Sequence, residues 1–368
     1  MDFSELSYQT EVRDSLNKIL NEKCSQDKLK KFDDSFKHDD ALLSLLAKNG
    51  YLGLGINEKF GGSGEDLYDL GILFERLGFH AAPLSLTGCL VDVAQTIQKF
   101  NESDTHKSII SSIIQGEIYT SAILEPHNQD PENPNTKAEF NGDKILVNGI
   151  KYLSEIASVA KSILVSVNSN KGVLLVLIDS NKLKLTPLAS TANSPIFKVE
   201  INNVTLDQSS IIHSKGRGLE ALRYLLQINM VMRSYIALGV AEKMTSLIAS
   251  YTSEREQFGR VIGTFQAVSH RAADCFIELE CLRLVNQQAS VNLNTNNDCE
   301  NDALISKIWA GNACHKISYS AQHLHGGTGV DKDYVLWRYC LIAKECELIN
   351  GSASQNIDKL GTNISSNQ

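Results

Sequence analysis

Hydrophobic positions repeat with helical spacing in the first and last thirds of the chain. Residues 41–52 and 69–77 each place apolar side chains on one helical face, and the first pattern ends near Asn49-Gly50. Longer patterns predict helices over 219–253, 303–324 and 335–348. Between the first two of these, a further helix is predicted, because one helical face carries Val268, Ala272, Cys275, Phe276, Leu279 and Leu282. We therefore expect an N-terminal helical domain and a C-terminal four-helix bundle.

The middle of the chain has the pattern of β-strands. Short runs rich in β-branched residues occupy 145–147, 163–167, 173–178 and 196–204, and Asn141-Gly142 favours a tight hairpin turn before the first run. Five of the six prolines lie between 126 and 195, and none follows Pro195, which permits long helices afterwards. The predicted fold class is α+β, with a helical domain over 1–115, a β-sandwich or barrel over 116–215, and the bundle with its tail over 216–368. We expect a polar link at 292–298 and a frayed tail after Gly361.

Charge and composition narrow the class of protein. Lys and Arg total 35 against 43 Asp and Glu, a net charge of −8, which argues against a nucleic-acid-binding protein. No apolar run approaches the length of a membrane span, and the first residues lack a signal-peptide pattern. We expect a cytoplasmic protein whose eight cysteines are mostly reduced, buried thiols rather than redox or metal ligands, because no pair is spaced C-x-x-C.

Two segments carry chemical signals. In the first, Arg255 precedes a turn through Phe258-Gly259, and Gln266 opens the next helix. An arginine fork suits a pyrophosphate, and the glutamine suits a carbonyl or ribose. The second is His323-Leu324-His325-Gly326-Gly327, whose glycines let backbone N–H groups approach an anionic or ribityl ligand. Taken alone, each segment is also compatible with a plain helix cap and turn. A third, Phe60-Gly61-Gly62-Ser63-Gly64, lacks the Lys-Ser/Thr of a P-loop and is more typical of an ordinary loop.

In this order, the segments resemble the acyl-CoA dehydrogenase family over nearly the whole chain. The string from Arg255 to Gln266 matches the family's R-x-x-F-G-x-x-I-x-x-F-Q signature, and Glu75-Arg76-Leu77-Gly78 is similar to its E-x-L-G. Residues 57–64 are similar to the family's P-E-x-x-G-G-x-G turn, with Asn57 in place of proline. The length and the ending, Glu347 to Ser352, are more similar to short-form members acting on steroid or other bulky CoA thioesters, in lipid metabolism and steroid degradation.

The resemblance implies an oxidoreductase, a flavoprotein that dehydrogenates an acyl-CoA thioester with FAD. A carboxylate removes the α-proton, and the β-hydrogen leaves as hydride. It also implies that FAD lies across a subunit interface. The neighbouring subunit then contributes residues to the adenine-nucleotide end of FAD, which here are Arg255, Phe258, Gln266, His323, Gly326 and Gly327. The glutamine that the family carries just before Gly-Gly falls at His323, with Gln322 one position upstream.

The sequence departs from the family at the base and at the flavin ring. The C-terminal glutamate position is Asn350, and the alternative position, within 229–232, holds Asn-Met-Val-Met, none a carboxylate. Glu347, three residues before Asn350, is either a displaced base or an ordinary helix carboxylate. The family's T-E-P reads Leu124-Glu125-Pro126, and its K-x-W-I-T/S reads Lys151 to Glu155, with Leu153 in place of tryptophan.

These departures predict a subunit without its own base, in a heteromeric acyl-CoA dehydrogenase of α2β2 type. Its sister would bind the flavin ring and supply the glutamate, and an electron-transfer flavoprotein is a possible acceptor. One alternative is a self-sufficient homo-oligomeric enzyme that uses Glu347. The other is a flavin-free structural or regulatory partner on the same scaffold.

Overall fold

The computed structural model describes residues 4–33, 38–64, 66–101, 103–295 and 299–366. The chain divides into two compact units. The helical unit comprises Met1–Asp34, Leu67–Ala82 and Met230–Gln368, and the sheet unit comprises Ser35–Asp66 and Pro83–Asn229. The predicted α+β class is confirmed, because helices precede and follow a β segment. No helix of the described residues is long and apolar enough to cross a bilayer.

The helical unit contains the long C-terminal helices and three N-terminal ones. Their bounds are α1 (Ser7–Lys23), α2 (Gln26–Leu29), α4 (Leu67–Phe79), α7 (Gly218–Glu254, from Met230 in this unit), α8 (Gln266–Thr295), α9 (Glu300–His325), α10 (Leu336–Leu348) and α11 (Ala353–Ser366). Helices α4 and α7 cross closely because glycine lies at the contact. A Cβ on Gly239 would lie 1.9 Å from the Glu75 carbonyl oxygen, and one on Gly78 2.2 Å from that of Ile236.

A buried carboxylate ties four elements of the helical unit together. Glu75 is 1% exposed, and its oxygens accept from Arg13 at 3.0 Å, Arg76 at 2.7 Å and Arg283 at 2.9 Å. Arg76 also pairs with Glu242 on α7. Burial opposes the ionisation of Glu75, but the three guanidiniums outweigh it and lower its pKa to about 2.

The tail is the clearest difference from the sequence prediction. Residues 353–366 form α11, which packs on α9 and continues through Gly361, so the expectation of a frayed tail was wrong. Buried Asn356 anchors this helix at its start. The predicted polar link is also shorter than expected, because α8 continues to Thr295; residues 296–298 lie outside the described part.

The sheet unit is built on one seven-stranded mixed sheet, ordered β1-β4-β2-β3-β7-β6 with β5 beside β4. The strands are β1 (Tyr119–Ala122), β2 (Lys137–Asn141), β3 (Lys144–Glu155), β4 (Ser162–Ser169), β5 (Gly172–Asp179), β6 (Lys184–Leu188) and β7 (Ile196–Asp207). The helices are α3 (Asp40–Lys48), a π-helix (Thr87–Gln95), α5 (Thr96–Phe100) and α6 (Asp104–Ile114). Apolar side chains such as Ile145, Val165 and Val199 form the core of the sheet.

A buried ion pair fixes the end of β1 to β3. Lys151 is fully buried, and its Nζ donates to Glu125 at 2.7 Å and to the hydroxyl of Ser166 at 3.0 Å. Burial opposes the ionisation of Glu125, but hydrogen bonds from Lys151 and Thr136 lower its pKa to about 2. Burial lowers the pKa of Lys151 to about 8. The residues after β1 are therefore held rigidly against β3.

Candidate cofactor-contact residues and the base position

The Phe-Gly turn is a two-residue β-hairpin. Short strands β8 (Glu256–Gln257) and β9 (Arg260–Val261) pair antiparallel around Phe258 and Gly259. The φ angles of Phe258 and Gly259 are 55° and 78°, and both angles must be positive in this tight type of turn. A non-glycine residue at positive φ is strained, and Phe258 adopts this conformation. Its side chain is nevertheless 93% exposed. An exposed aromatic side chain thus stands at the tip of a rigid turn.

Arg255 and Gln266 flank this hairpin with free side chains. The backbone oxygen of Arg255 accepts from the Ile262 N–H at 2.8 Å, which closes the base of the hairpin. Gln266 is the first residue of α8, where a helix end favours negative charge. Both side chains are exposed, and neither makes a hydrogen bond or ion pair with any residue that the structure describes. Both are available to bind a ligand.

The Gly-Gly segment follows the end of α9. Gly326 has φ 57°, and a Cβ added to Gly326 or Gly327 would meet nothing within 4 Å. Buried His325 anchors the segment, because its ring stacks on Tyr251 at 4.4 Å and its Nδ1 donates to the Ala321 oxygen at 2.7 Å. The two glycines therefore expose backbone from a fixed helix end.

Contacts between helices bring all six predicted cofactor residues to one end of the helical unit. Tyr251 lies on α7, one turn before Arg255, which directly follows that helix. The ring of Tyr251 stacks on that of His325 at the end of α9. Arg271 in the second turn of α8 hydrogen-bonds His323 on α9, with 2.7 Å between Nη1 and Nδ1. Sequence reasoning missed Arg271, and no local pattern singles it out, because its partner lies 52 positions away on another helix.

The base position lies in a rigid turn between α10 and α11. Asn350 and Gly351 have φ angles of 59° and 88°. Buried Lys307 donates from Nζ to the oxygens of Cys346 at 3.0 Å and Glu347 at 3.1 Å, at the end of α10. Burial lowers the pKa of Lys307. Buried Asn356 donates from Nδ2 to the backbone oxygens of Asn350 and Gly351 in this turn. The turn thus presents an amide, which is not a proton acceptor of carboxylate strength.

The two other candidate positions for a base are also unsuited to the role. Asn229 is buried in the sheet unit and donates from Nδ2 to Asp92 of the π-helix at 2.7 Å. In the helical unit, Glu347 pairs with Lys344, and its Oε2 lies 3.4 Å from Nδ1 of His315. The structure therefore places Glu347, whose side chain is 21% exposed, in an ion pair near the end of α10.

The residues at the family's flavin-ring positions are apolar or already bonded. Leu153 is 46% exposed with φ 57°, next to Tyr152, whose N–H donates to the Leu124 oxygen at 2.8 Å. Glu155 is buried and accepts from the Thr87 hydroxyl at 3.0 Å. This carboxylate is directed to the π-helix of the sheet unit.

Comparisons with known proteins agree with this architecture. The model of the acyl-CoA dehydrogenase N-terminal domain matches residues 7–117, and that of the C-terminal domain matches residues 216–364. Acyl-CoA dehydrogenase FadE27 of Mycobacterium tuberculosis is 26% identical over 99% of both chains. A variant of the Tcur3481-Tcur3483 steroid ACAD is 30% identical over 98% of both chains, with a TM-score of 0.91. The ChsE4-ChsE5 complex from Mycobacterium tuberculosis is 25% identical over 99% of both chains, with a TM-score of 0.93. With matching domains at both ends and relatives aligned along its whole length, the chain belongs to the acyl-CoA dehydrogenase family.

Proposed function

We propose that this chain is the subunit without a catalytic base in a heteromeric, FAD-dependent acyl-CoA dehydrogenase, in which two copies pair with two copies of a sister subunit. The observation that carries the proposal is a contrast within the chain. The base position holds Asn350, whereas Arg255 and Gln266 at the nucleotide-end positions remain exposed and without partners among the described residues.

The nucleotide-end residues fit the adenine-nucleotide end of FAD. An exposed guanidinium can bind a pyrophosphate with two hydrogen bonds. The amide of Gln266 lies at a helix N-terminus, which favours an anion. Gly326 and Gly327 leave space where a side chain would obstruct a ligand. Exposed Phe258 supplies an aromatic surface. Because these groups face outward, they suit a cofactor held in part by another subunit.

The ring-end residues fit an isoalloxazine poorly. Leu124 lies where the family carries a threonine hydroxyl, and Leu153 cannot stack as tryptophan does. The carboxylate of Glu155 already accepts a hydrogen bond from Thr87. We infer that the sister subunit binds the ring. FAD, when bound, supplies the acceptor for the hydride that leaves the acyl-CoA. The residues of this chain bind and orient its nucleotide end, and the sister supplies the base.

The nature of the relatives supports the partner and the substrate class. Two of the similar solved structures, the Tcur3481-Tcur3483 steroid ACAD and the ChsE4-ChsE5 complex, are each named for two polypeptides, and the first is a steroid ACAD. We extend the two-subunit assembly to this chain, with a steroid or other bulky acyl-CoA as its substrate. We also propose a cytoplasmic location, in keeping with eight free cysteines.

The test is to purify this chain alone and then together with its sister, the family member that carries glutamate at the position of Asn350 or within 229–232. The chain alone should lack both stoichiometric FAD and dehydrogenase activity, and the complex should have both. Full FAD content and turnover from the chain alone would refute the proposal in favour of a self-sufficient enzyme. An active sister whose FAD content is the same with and without this chain would favour a flavin-free partner.

A further inference from the structure

The contact between Arg271 and His323 fixes which imidazole nitrogen carries a proton. The two atoms, Nη1 and Nδ1, lie 2.7 Å apart. A guanidinium has only donors, so Nδ1 must accept and the neutral ring must carry its hydrogen on Nε2. The opposite tautomer would set two N–H groups against each other. The free edge of His323 is therefore an N–H donor.

The surroundings leave both side chains free for this role. Within the described part of the chain, the guanidinium of Arg271 pairs with no carboxylate, and Nε2 of His323 has no partner. The ring of Tyr319 lies nearly parallel to that of His323, with centroids 6.4 Å apart and an interplanar angle of 10°. The ring is thus held by a hydrogen bond at one edge and an aromatic side chain on one face.

We propose that Arg271 is a positioning residue that acts through His323, holding it as an N–H donor toward the nucleotide end of FAD. The proposal rests on the function proposed above. It explains how a histidine can serve at a position where the family carries glutamine. A glutamine amide presents an N–H donor without help, whereas an imidazole does so only in one tautomer.

The tautomer can be measured on the chain alone. Nitrogen-15 labelling of histidine distinguishes protonated from unprotonated ring nitrogens by chemical shift, and His323→Gln assigns the signals. We expect Nε2 of His323 to be protonated and Nδ1 to be unprotonated. In Arg271→Met the signals should move toward a mixture of tautomers, and in Arg271→Lys, whose ammonium also only donates, they should stay. The Nδ1-protonated tautomer in the unmodified chain would overturn the proposal.

A double-mutant cycle on the assembled complex tests the link to the cofactor. Arg271→Met should weaken FAD retention by about tenfold, as expected for a lost hydrogen bond to a charged group. His323→Gln should retain FAD, and so should Arg271→Met combined with His323→Gln, because the amide needs no orienting partner. Lys316→Met removes the same charge from a neighbouring exposed site, where Lys316 pairs with Glu278, and should change nothing.

The outcomes separate this inference from the function on which it rests. If Arg271→Met reduces FAD retention equally with His323 intact and in the His323→Gln variant, then Arg271 binds FAD directly, and the positioning role is overturned. No loss with Arg271→Met, in a complex where Arg255→Ala does release FAD, would overturn the inference alone. If neither variant releases FAD, both the inference and the proposed function fail.

Discussion

The side-chain amide of Asn356 donates to the backbone oxygen of Asn350 at 3.3 Å. The same Nδ2 also lies 3.1 Å from the oxygens of Gly351 and Ser352, so a single buried amide holds the whole turn. Lys307 holds the end of α10 that leads into this turn, so Asn350 lies in a rigid turn. Under the proposed function, this turn would retain the backbone of the base site and lack its carboxylate.

Asn356→Asp should destabilise the helical unit by about 3 kcal/mol, because a carboxylate oxygen would face three carbonyl oxygens in a buried place. Urea unfolding of the chain measures the change. Asn363→Asp on the same helix, where the side chain donates to Asn301 in an exposed hydrogen bond, should cost less than about 1 kcal/mol. Equal costs for the two variants would contradict the assigned role of Asn356.

Glu347→Gln should leave turnover of the complex within about twofold of the unmodified enzyme. The reason is that the carboxylate of Glu347 is engaged in a part-buried ion pair with Lys344. Steady-state kinetics with the acyl-CoA substrate provides the measurement, with Lys344→Gln as the matched control. Loss of turnover with FAD still bound would instead identify Glu347 as the displaced base.

Arg255→Ala should weaken FAD retention in the complex by about ten- to a hundredfold, the effect of removing a guanidinium–phosphate contact. Flavin absorbance after gel filtration measures it, and Lys316→Ala serves as the charge-matched control. Unchanged flavin content and partner activity would favour the flavin-free structural role.

Phe258→Asn should stabilise the isolated chain by about 0.5–1 kcal/mol and at the same time weaken FAD retention in the complex. Asparagine tolerates the positive φ at this turn, and an aromatic ring that is 93% exposed contributes little packing in the free chain. Thermal unfolding and flavin content give the two readouts. Phe276→Asn, at an exposed helical position, should bring no such gain in stability. A loss of stability in Phe258→Asn would show that the turn is unstrained.

Glu75 makes the stability of the helical unit depend on pH. Its pKa is lowered to about 2 in the folded chain against an ordinary value of 4.5, so its contribution is complete above pH 4.5 and is lost as the pH falls toward 2. Glu75→Gln should therefore cost about 3–5 kcal/mol at pH 7, because it removes the buried charge that Arg13, Arg76 and Arg283 share. Urea unfolding of both proteins should show this difference shrinking below pH 4.5. A constant difference down to pH 3 would contradict the assignment.

Local patterns in the sequence predicted the elements that local chemistry determines. The turn through Phe258-Gly259 and the helix end near Asn49-Gly50 both follow from glycine and positive φ. The expectation of a frayed tail after Gly361 rested on the usual disorder of chain ends, and the packing of α11 on α9 and the buried Asn356 outweigh that tendency.

Features that depend on contacts between residues far apart in the chain could not be predicted from the sequence. The π-helix at Thr87–Gln95 has a wider turn than the period on which helix prediction rests. The parallel pairing of β1 with β4 joins strands about forty residues apart. The positions of Arg255, Gln266 and His323 were predicted from the family signature, whereas their exposure, and the contact of His323 with Arg271, required the structure.

The number of FAD molecules bound per heterotetramer tests the central claim most directly. Protein and flavin can be quantified by amino-acid analysis and by absorbance after release of the cofactor. Because only the sister is expected to hold the isoalloxazine ring, two FAD should be bound for every four chains. Four FAD per heterotetramer would mean that this chain also binds a ring of its own, and would contradict the account.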